Sequence, residues 1–251
     1  MLKKRIIPTL LFKNNKLVKG INFNSWRTVG SIMQSVRVYK MRKVDELILL
    51  DISATNLNKK IDLDLINEVA NECFMPLTFG GGIKTIEDIS NILKSGADKV
   101  CINTASINNL KFIKEACKKF GSQAIVISVD YKKKGETIEI WSNSGQVKSD
   151  LVFEDYLKEL ESVSVGEIIL TSIDKDGTME GYDINTITKV NKLLDTPIIA
   201  SGGAGNFENM LDLLNSTNVS ALAAASIYHF TKKTPLDVKK YLKEKKIPVR
   251  L

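Results

Sequence analysis

Two glycine-rich turns, Gly80-Gly81-Gly82-Ile83 and Gly202-Gly203-Ala204-Gly205, each end an apolar run that follows a proline, Pro76 or Pro197. Turns of this kind let backbone N–H groups approach a ligand closely, and a helix that starts behind them favours an anion. Asn206 is placed to cap such a helix. The chemistry suited to these residues is phosphate binding, although glycines that only make a bend would leave the same pattern. The two copies lie 121 residues apart, so they could hold the two ends of one elongated, doubly phosphorylated molecule. Between them, Asp130 ends the apolar run Ile125-Val126-Ile127-Ser128-Val129, where a carboxylate can act as general acid or base. A carboxylate that merely caps the next turn is the plainer alternative. Asp174-Lys175-Asp176-Gly177-Thr178 is either a solvated turn or a donor-rich edge for a ligand hydroxyl or phosphate.

The elements that must position these residues alternate along the chain. Strand-like runs occur at 5–12, 46–52, 75–79, 98–103, 123–131, 167–173, 197–201 and 220–225. Helix-like segments are clearest at 60–73, 85–95, 108–119, 152–162, 184–194 and 207–215. Eight strands alternating with helices predict an α/β fold, a closed (β/α)8 TIM barrel over 1–251, with an open doubly wound sheet as the competitor. The duplication favours the barrel. Glu46-Leu47-Ile48-Leu49-Leu50 repeats as Glu167-Ile168-Ile169-Leu170-Thr171, again 121 residues on, which divides the chain into half-barrels of about 1–120 and 121–251. Segment 13–31 is expected to be an irregular, mobile loop over the barrel mouth, and 132–150 a small hairpin.

In such a barrel the active site lies at the C-terminal strand ends. Those ends carry Leu11 with Lys19, Asp51, Gly82, Asn103 with Thr104, Asp130, Asp176 with Gly177, Gly203, and Ala225 with Ser226. Backbone amides of Gly82 and Thr104 would form one anion cradle, and those of Gly203 and Ser226 the other. The N-terminal ends carry Arg5, Glu46, Lys99 and Glu167, two cations and two anions that could pair in a ring closing the barrel floor. From the residues alone, plain structural salt bridging is the favoured account of that ring.

Composition narrows the partners. The net charge of +7 admits nucleic acid, a membrane surface or small anionic substrates, but most of the lysine excess falls in helix-like segments such as 239–246, which read as solvated faces. No stretch interleaves basic and aromatic residues as a nucleic-acid platform would, so no nucleic acid is expected. No apolar run has the length of a membrane span, and Lys13, Asn14, Asn15 and Lys16 interrupt the N-terminal run, so a cytoplasmic protein is expected. Cys73, Cys101 and Cys117 are odd in number and lack metal-site spacing, and neither metal nor cofactor is expected. His229, beside Phe230, is expected to be a packing residue.

From Lys4-Arg5-Ile6-Ile7 to Ile247-Pro248-Val249-Arg250-Leu251 the chain resembles the cyclase subunit of imidazole glycerol phosphate synthase. The motifs that carry the resemblance include Gly80-Gly81-Gly82-Ile83, Gly96-Ala97-Asp98-Lys99-Val100, Phe120-Gly121-Ser122-Gln123-Ala124 and Leu170-Thr171-Ser172-Ile173-Asp174-Lys175-Asp176-Gly177-Thr178. The resemblance implies a barrel that receives ammonia from a glutaminase subunit docked at its N-terminal face and uses it on a substrate with two phosphates. It implies that Arg5, Glu46, Lys99 and Glu167 form the charged gate of the ammonia path, and that Asp98 faces the glutaminase. It assigns substrate binding to Lys19, Gly82, Asn103, Thr104, Asp176, Gly177, Gly203 and Ser226.

The chain departs from that pattern at strand 1. Cyclisation in the family uses two aspartates as an acid/base pair; Asp130 is one, and the other position holds Leu11. Pro8 also falls inside strand 1, which predicts a bulge or a lost ladder bond. Ala223-Ala224-Ala225-Ser226 is one alanine longer than the usual strand 8. With the gate charges retained and one acid lost, the leading expectation is a divergent paralogue that adds nitrogen to a sugar precursor of a bacterial surface glycan, forming an amidine. Genuine imidazole glycerol phosphate formation in histidine biosynthesis is one alternative, and a non-catalytic activator of the glutaminase is another.

Overall fold

The computed structural model describes residues 2–251. Its strands are β1 (Arg5–Lys13), β2 (Lys16–Ile21), β3 (Asn24–Gly30), β4 (Leu47–Asp51), β5 (Leu77–Gly80), β6 (Lys99–Ile102), β7 (Ile125–Lys134), β8 (Thr137–Ser142), β9 (Val147–Val152), β10 (Glu167–Ser172), β11 (Ile198–Ser201) and β12 (Ala221–Ala224). Its helices are α1 (Ile32–Met41), α2 (Leu63–Glu72), α3 (Ile86–Lys94), α4 (Thr104–Asn108), α5 (Leu110–Phe120), α6 (Phe153–Val163), α7 (Ile184–Leu193), α8 (Phe207–Ser216), α9 (Ser226–Phe230) and α10 (Pro235–Glu244).

Strand β1 pairs in parallel with β4 on one side and β12 on the other, and the ladder continues through β5, β6, β7, β10 and β11 back to β12. This is the closed (β/α)8 barrel that the alternation of strands and helices predicts. Each of the eight expected strand runs overlaps one barrel strand, and β1, β5 and β7 extend one to three residues beyond the expected ends. The six clearest helix segments correspond to α2, α3, α5, α6, α7 and α8, and the helix-like 239–246 overlaps α10, whereas α1, α4 and α9 have no expected segment of their own. The sequence also marks the start of α10: Thr234 and Asp237 form a capping box and Pro235 sits in the first turn.

Apolar packing divides into two layers. Between strands and helices lies a continuous shell that includes Ile6, Leu10, Leu47, Val100, Ile127 and Leu170. Inside the barrel, Ile7, Ile48, Val126, Ile169 and Ile199 meet across the axis with the small Ala221 and Ala223. Alternation along each strand produces both layers, because successive side chains point to opposite faces.

Three details of the strand-1 region correct or refine the expectations. Segment 13–31 is not irregular: β2 and β3 form an antiparallel hairpin on β1, matched by the β8–β9 hairpin on β7 within the expected 132–150. The first hairpin is tied across the mouth by Asn22, whose N–H donates to Asp176 O (2.8 Å) and whose Nδ2 donates to Asp174 O (2.7 Å). Pro8 causes no bulge: residues 5–8 pair with β12 and residues 9–12 with β4, each without a register shift. The proline therefore sits where β1 passes from one ladder to the other, the place in a strand where a missing donor disturbs least.

At the N-terminal end of the barrel, α10 is fixed by Lys239, which is 1% exposed. Its Nζ pairs with Asp45 Oδ1 at 2.8 Å and donates to Lys43 O at 2.8 Å, while Asp45 Oδ2 accepts from Ile6 N at 2.9 Å. Removing one member of a buried pair strands the other charge. We expect Lys239→Ala to destabilise the fold by about 3–5 kcal/mol, and exposed Lys240→Ala by less than about 0.5 kcal/mol. Urea unfolding midpoints of the two variants against the parent check this.

Candidate active site

The C-terminal strand ends surround a cavity of about 380 Å³. Leu11, Asp51, Gly82, Asn103, Thr104 and Asp130 line it from the first half and β7. Asp176, Gly177, Gly203, Ala225 and Ser226 complete it from the second half. Lys19 does not line the cavity itself; it reaches the site through Asp176, with Nζ 2.6 Å from Oδ2.

Asp130 is buried on the inner face of β7, and Ser128 Oγ, two residues earlier on the same face, donates to its Oδ1 at 3.0 Å. Burial pushes the Asp130 carboxyl up to about 7; the Ser128 hydrogen bond opposes the shift and the negative charge of Asp176 adds to it. A carboxyl in that range both takes and gives a proton near neutrality. Burial also raises Asp176, against the opposing charge of Lys19. Leu11, on β1, is buried beside Leu50 of β4 and Val18 of β2 in the ladder registers. From β1 the cavity receives only Thr9 and Leu11, so that wall carries no ionisable group, and the buried Thr9 Oγ1 has no partner among the described residues.

The glycine turns need their glycines. Gly81 has φ +114° and a Cβ there would lie 2.4 Å from Asp51 O; Gly203 has φ +106° and a Cβ would lie 2.1 Å from Gly181 O. Gly82 and Gly203 thus stand in the wall of one cavity, with Thr104 opening α4 and Ser226 opening α9 nearby. Ser226 Oγ is buried without a partner among the described residues. Asn103 Nδ2 donates to Ser128 O at 3.0 Å, which ties β6 to the strand that carries Asp130. Asp51 is partly committed to its own turn, since Oδ1 accepts from Ser53 N (2.8 Å) and Ser53 Oγ (2.7 Å).

At the opposite end of the barrel the four expected charges form a closed ring. Arg5 Nη1 lies 2.8 Å from Glu46 Oε2, and Arg5 Nη2 contacts Glu167 Oε1. Lys99 Nζ lies 3.0 Å from Glu46 Oε1 and 2.7 Å from Glu167 Oε2. Thr78 Oγ1 donates to Glu46 at 2.9 Å. Burial opposes ionisation of Glu167, but its hydrogen bonds and the charges of Arg5 and Lys99 hold it below the ordinary carboxylate range. Asp98 lies exposed beside the ring, its Oδ2 accepting from Leu77 N at 2.8 Å.

Sequence reasoning missed several cavity residues. Ser128 was detectable, being two residues before Asp130 on a strand. Phe23 and Trp26 were not, because they line the cavity only once the first hairpin folds over the mouth. His229 is half-buried; burial and the nearby Lys19 push it down to about 4, and its Nε2 has no partner among the described residues. Among the described residues no helix is long and apolar enough to cross a membrane, and no cluster of His, Cys, Asp and Glu could hold a metal ion.

Comparison with known proteins follows the same outline. The family described as "Histidine biosynthesis protein" matches residues 5–234. The imidazole glycerol phosphate synthase subunit HisF of Hydrogenobaculum sp. (strain Y04AAS1) is 44% identical over 252 residues, covering 100% of both chains. The protein of the same name from Thermococcus onnurineus is 44% identical over 251 residues, covering 100% of this chain and 99% of the relative. That of Staphylococcus carnosus is 42% identical over 252 residues, with 100% and 99% covered.

The buried Asp130 carries a linkage prediction. Its folded pKa of about 7 lies above the ordinary 3.8, so the parent loses stability as pH rises from about 4 through 7. Asp130→Asn removes the titrating group. We expect that variant to match the parent most closely near pH 4 and to gain on it up to pH 8, by up to about 4 kcal/mol, in urea unfolding across that range.

Proposed function

The chain belongs to the histidine biosynthesis family, among the imidazole glycerol phosphate synthase HisF subunits, and from that premise we propose that it is the ammonia-using synthase subunit of a glutamine amidotransferase, divergent in its acceptor. A glutaminase docks at the N-terminal face beside Asp98, and ammonia passes the ring of Arg5, Glu46, Lys99 and Glu167 to the cavity. One phosphate of the substrate sits at Gly82, Asn103 and Thr104, the other at Gly203, Ala225 and Ser226. Lys19, Asp51, Asp176 and Gly177 orient what lies between. Asp130 takes the proton lost by the attacking nitrogen and returns it to the departing group. The work takes place in the cytoplasm.

The observation that carries the divergence is Leu11, which leaves the β1 wall of the cavity without a carboxyl to set against Asp130. A leucine transfers no proton, and loss of one general acid or base typically costs about 10²–10⁴-fold in rate. With the ring intact and the second acid gone, ammonia delivery is kept while the two-aspartate cyclisation is not. The acceptor in this reading is a sugar precursor of a bacterial surface glycan, which gains an amidine. The second reading, imidazole glycerol phosphate formation in histidine biosynthesis, is favoured by the 41–45% identity to HisF subunits.

One measurement separates them, and a second tests the ammonia path that both share. With ammonium as nitrogen source, the unaltered chain is expected to turn over the histidine-pathway substrate poorly, and Leu11→Asp to raise that rate by about 10²-fold. Ready turnover without the substitution supports the second reading and removes the first. With the glutaminase present, Lys99→Ala is expected to reduce glutamine-driven product formation more than ammonium-driven formation. Equal losses from both nitrogen sources would show that the ring only holds the floor together.

A further inference from the structure

A second recess of about 280 Å³ adjoins the cavity and shares four wall residues with it: Phe23, Trp26, Ile52 and Ser144. It lies between the tips of the two hairpins and the loop after β4. On its far side it is walled by Lys13, Asn56, Leu57 and Gln146. Two aromatic rings, two carboxamides and a lysine around a space of this size are the chemistry that recognises a planar heteroaromatic ring. Aromatic side chains stack on any nucleobase, and carboxamides read the donors and acceptors along its edge.

The backbone gives a second, independent reason. Asn22 and Phe23 both adopt left-handed conformations, with φ of +52° and +57°. Two-residue hairpin turns normally reserve these positions for Gly, Asn or Asp, and a bulky ring there is strained. Phe23 is nonetheless held in place: a Cβ on Gly145 of the other hairpin would lie 2.9 Å from Phe23 Cδ2, so the glycine makes room for the ring. Backbone strain of this kind persists where the surrounding structure over-determines it, as at ligand clamps. Lys84, in the cavity wall beside Gly82, adds a cation at the anion cradle, its Nζ held among the described residues by the neutral Asn58.

We propose that this recess is a subsite for the base of a nucleotide-linked sugar, so that the acceptor is a sugar carried on a nucleoside diphosphate. The diphosphate occupies the Gly82–Thr104 cradle near Lys84 in place of a single phosphate, the base stacks on Phe23 and Trp26 in the recess, and the sugar extends past Asp130 towards the second cradle at Gly203 and Ser226. The inference rests on the reading of the cavity as an anion-binding acceptor site, and it narrows the class of acceptor.

Calorimetric titration of the full chain with UDP, ADP and pyrophosphate tests it. At least one of the two nucleotides is expected to bind tenfold or more tightly than pyrophosphate, a difference of about 1.4 kcal/mol. Trp26→Ala is expected to abolish that preference while keeping pyrophosphate affinity within twofold, and Trp26→Phe to restore part of it. The retained pyrophosphate binding serves as the check that the variants fold. Pyrophosphate binding as tight as that of both nucleotides overturns the subsite and leaves the anion cradle standing. A nucleotide preference that survives Trp26→Ala also overturns it. Failure of all three probes to bind overturns both the subsite and the two-anion reading beneath it.

Discussion

Closure of the sheet is the constraint on which every other feature depends. β1 is the strand that achieves it, giving residues 5–8 to β12 and residues 9–12 to β4. Without that double pairing β1 and β12 would be open edges, and the inner isoleucines would have no partners across the axis. Pro8, which cannot donate, occupies the step between the two ladders. The strand that carries Leu11 and Pro8 is thus also the strand that completes the barrel.

Closure sorts charge to the two ends of one tube and treats it differently at each. At the N-terminal end two cations and two carboxylates satisfy one another, which is the condition for holding charges so far from water. At the C-terminal end Asp130 has a hydroxyl partner but no cation, and desolvation moves its proton affinity close to neutrality. Burial that a paired ring can withstand makes a carboxyl without a cation reactive. Leu11 sharpens the contrast, because an apolar wall lowers the local polarity and supplies no second titrating group.

Two hairpins close over the mouth from opposite sides of the barrel. One follows β1 (β2–β3), the other β7 (β8–β9), and their tips meet where Phe23 packs beside Gly145. Asn22 bonds the first hairpin to the loop after β10, and Ser144 Oγ donates to Ile52 O at 2.8 Å from the second. The cavity is therefore roofed by elements from both halves, and no local stretch of sequence shows that roof.

Local sequence determined much on its own. Strand and helix periodicity, the two glycine turns and the 121-residue repeat were enough for the barrel, and position on a barrel strand placed Asp130 and the two glycine turns at one mouth. The absence of a carboxylate at Leu11 was legible as well, once the family resemblance supplied the expectation. Other features were left to tertiary structure. Arg5 and Glu167 stand 162 residues apart, and only closure makes them partners. The first hairpin read as loop because a left-handed Asn22-Phe23 turn carries no glycine to announce it, and its aromatics acquire a role only by lying over a mouth built from the other half. Periodicity reports which face of an element is buried; it says nothing of what the distant chain brings to that face, since such contacts arise from the folded path and leave no mark in either segment alone.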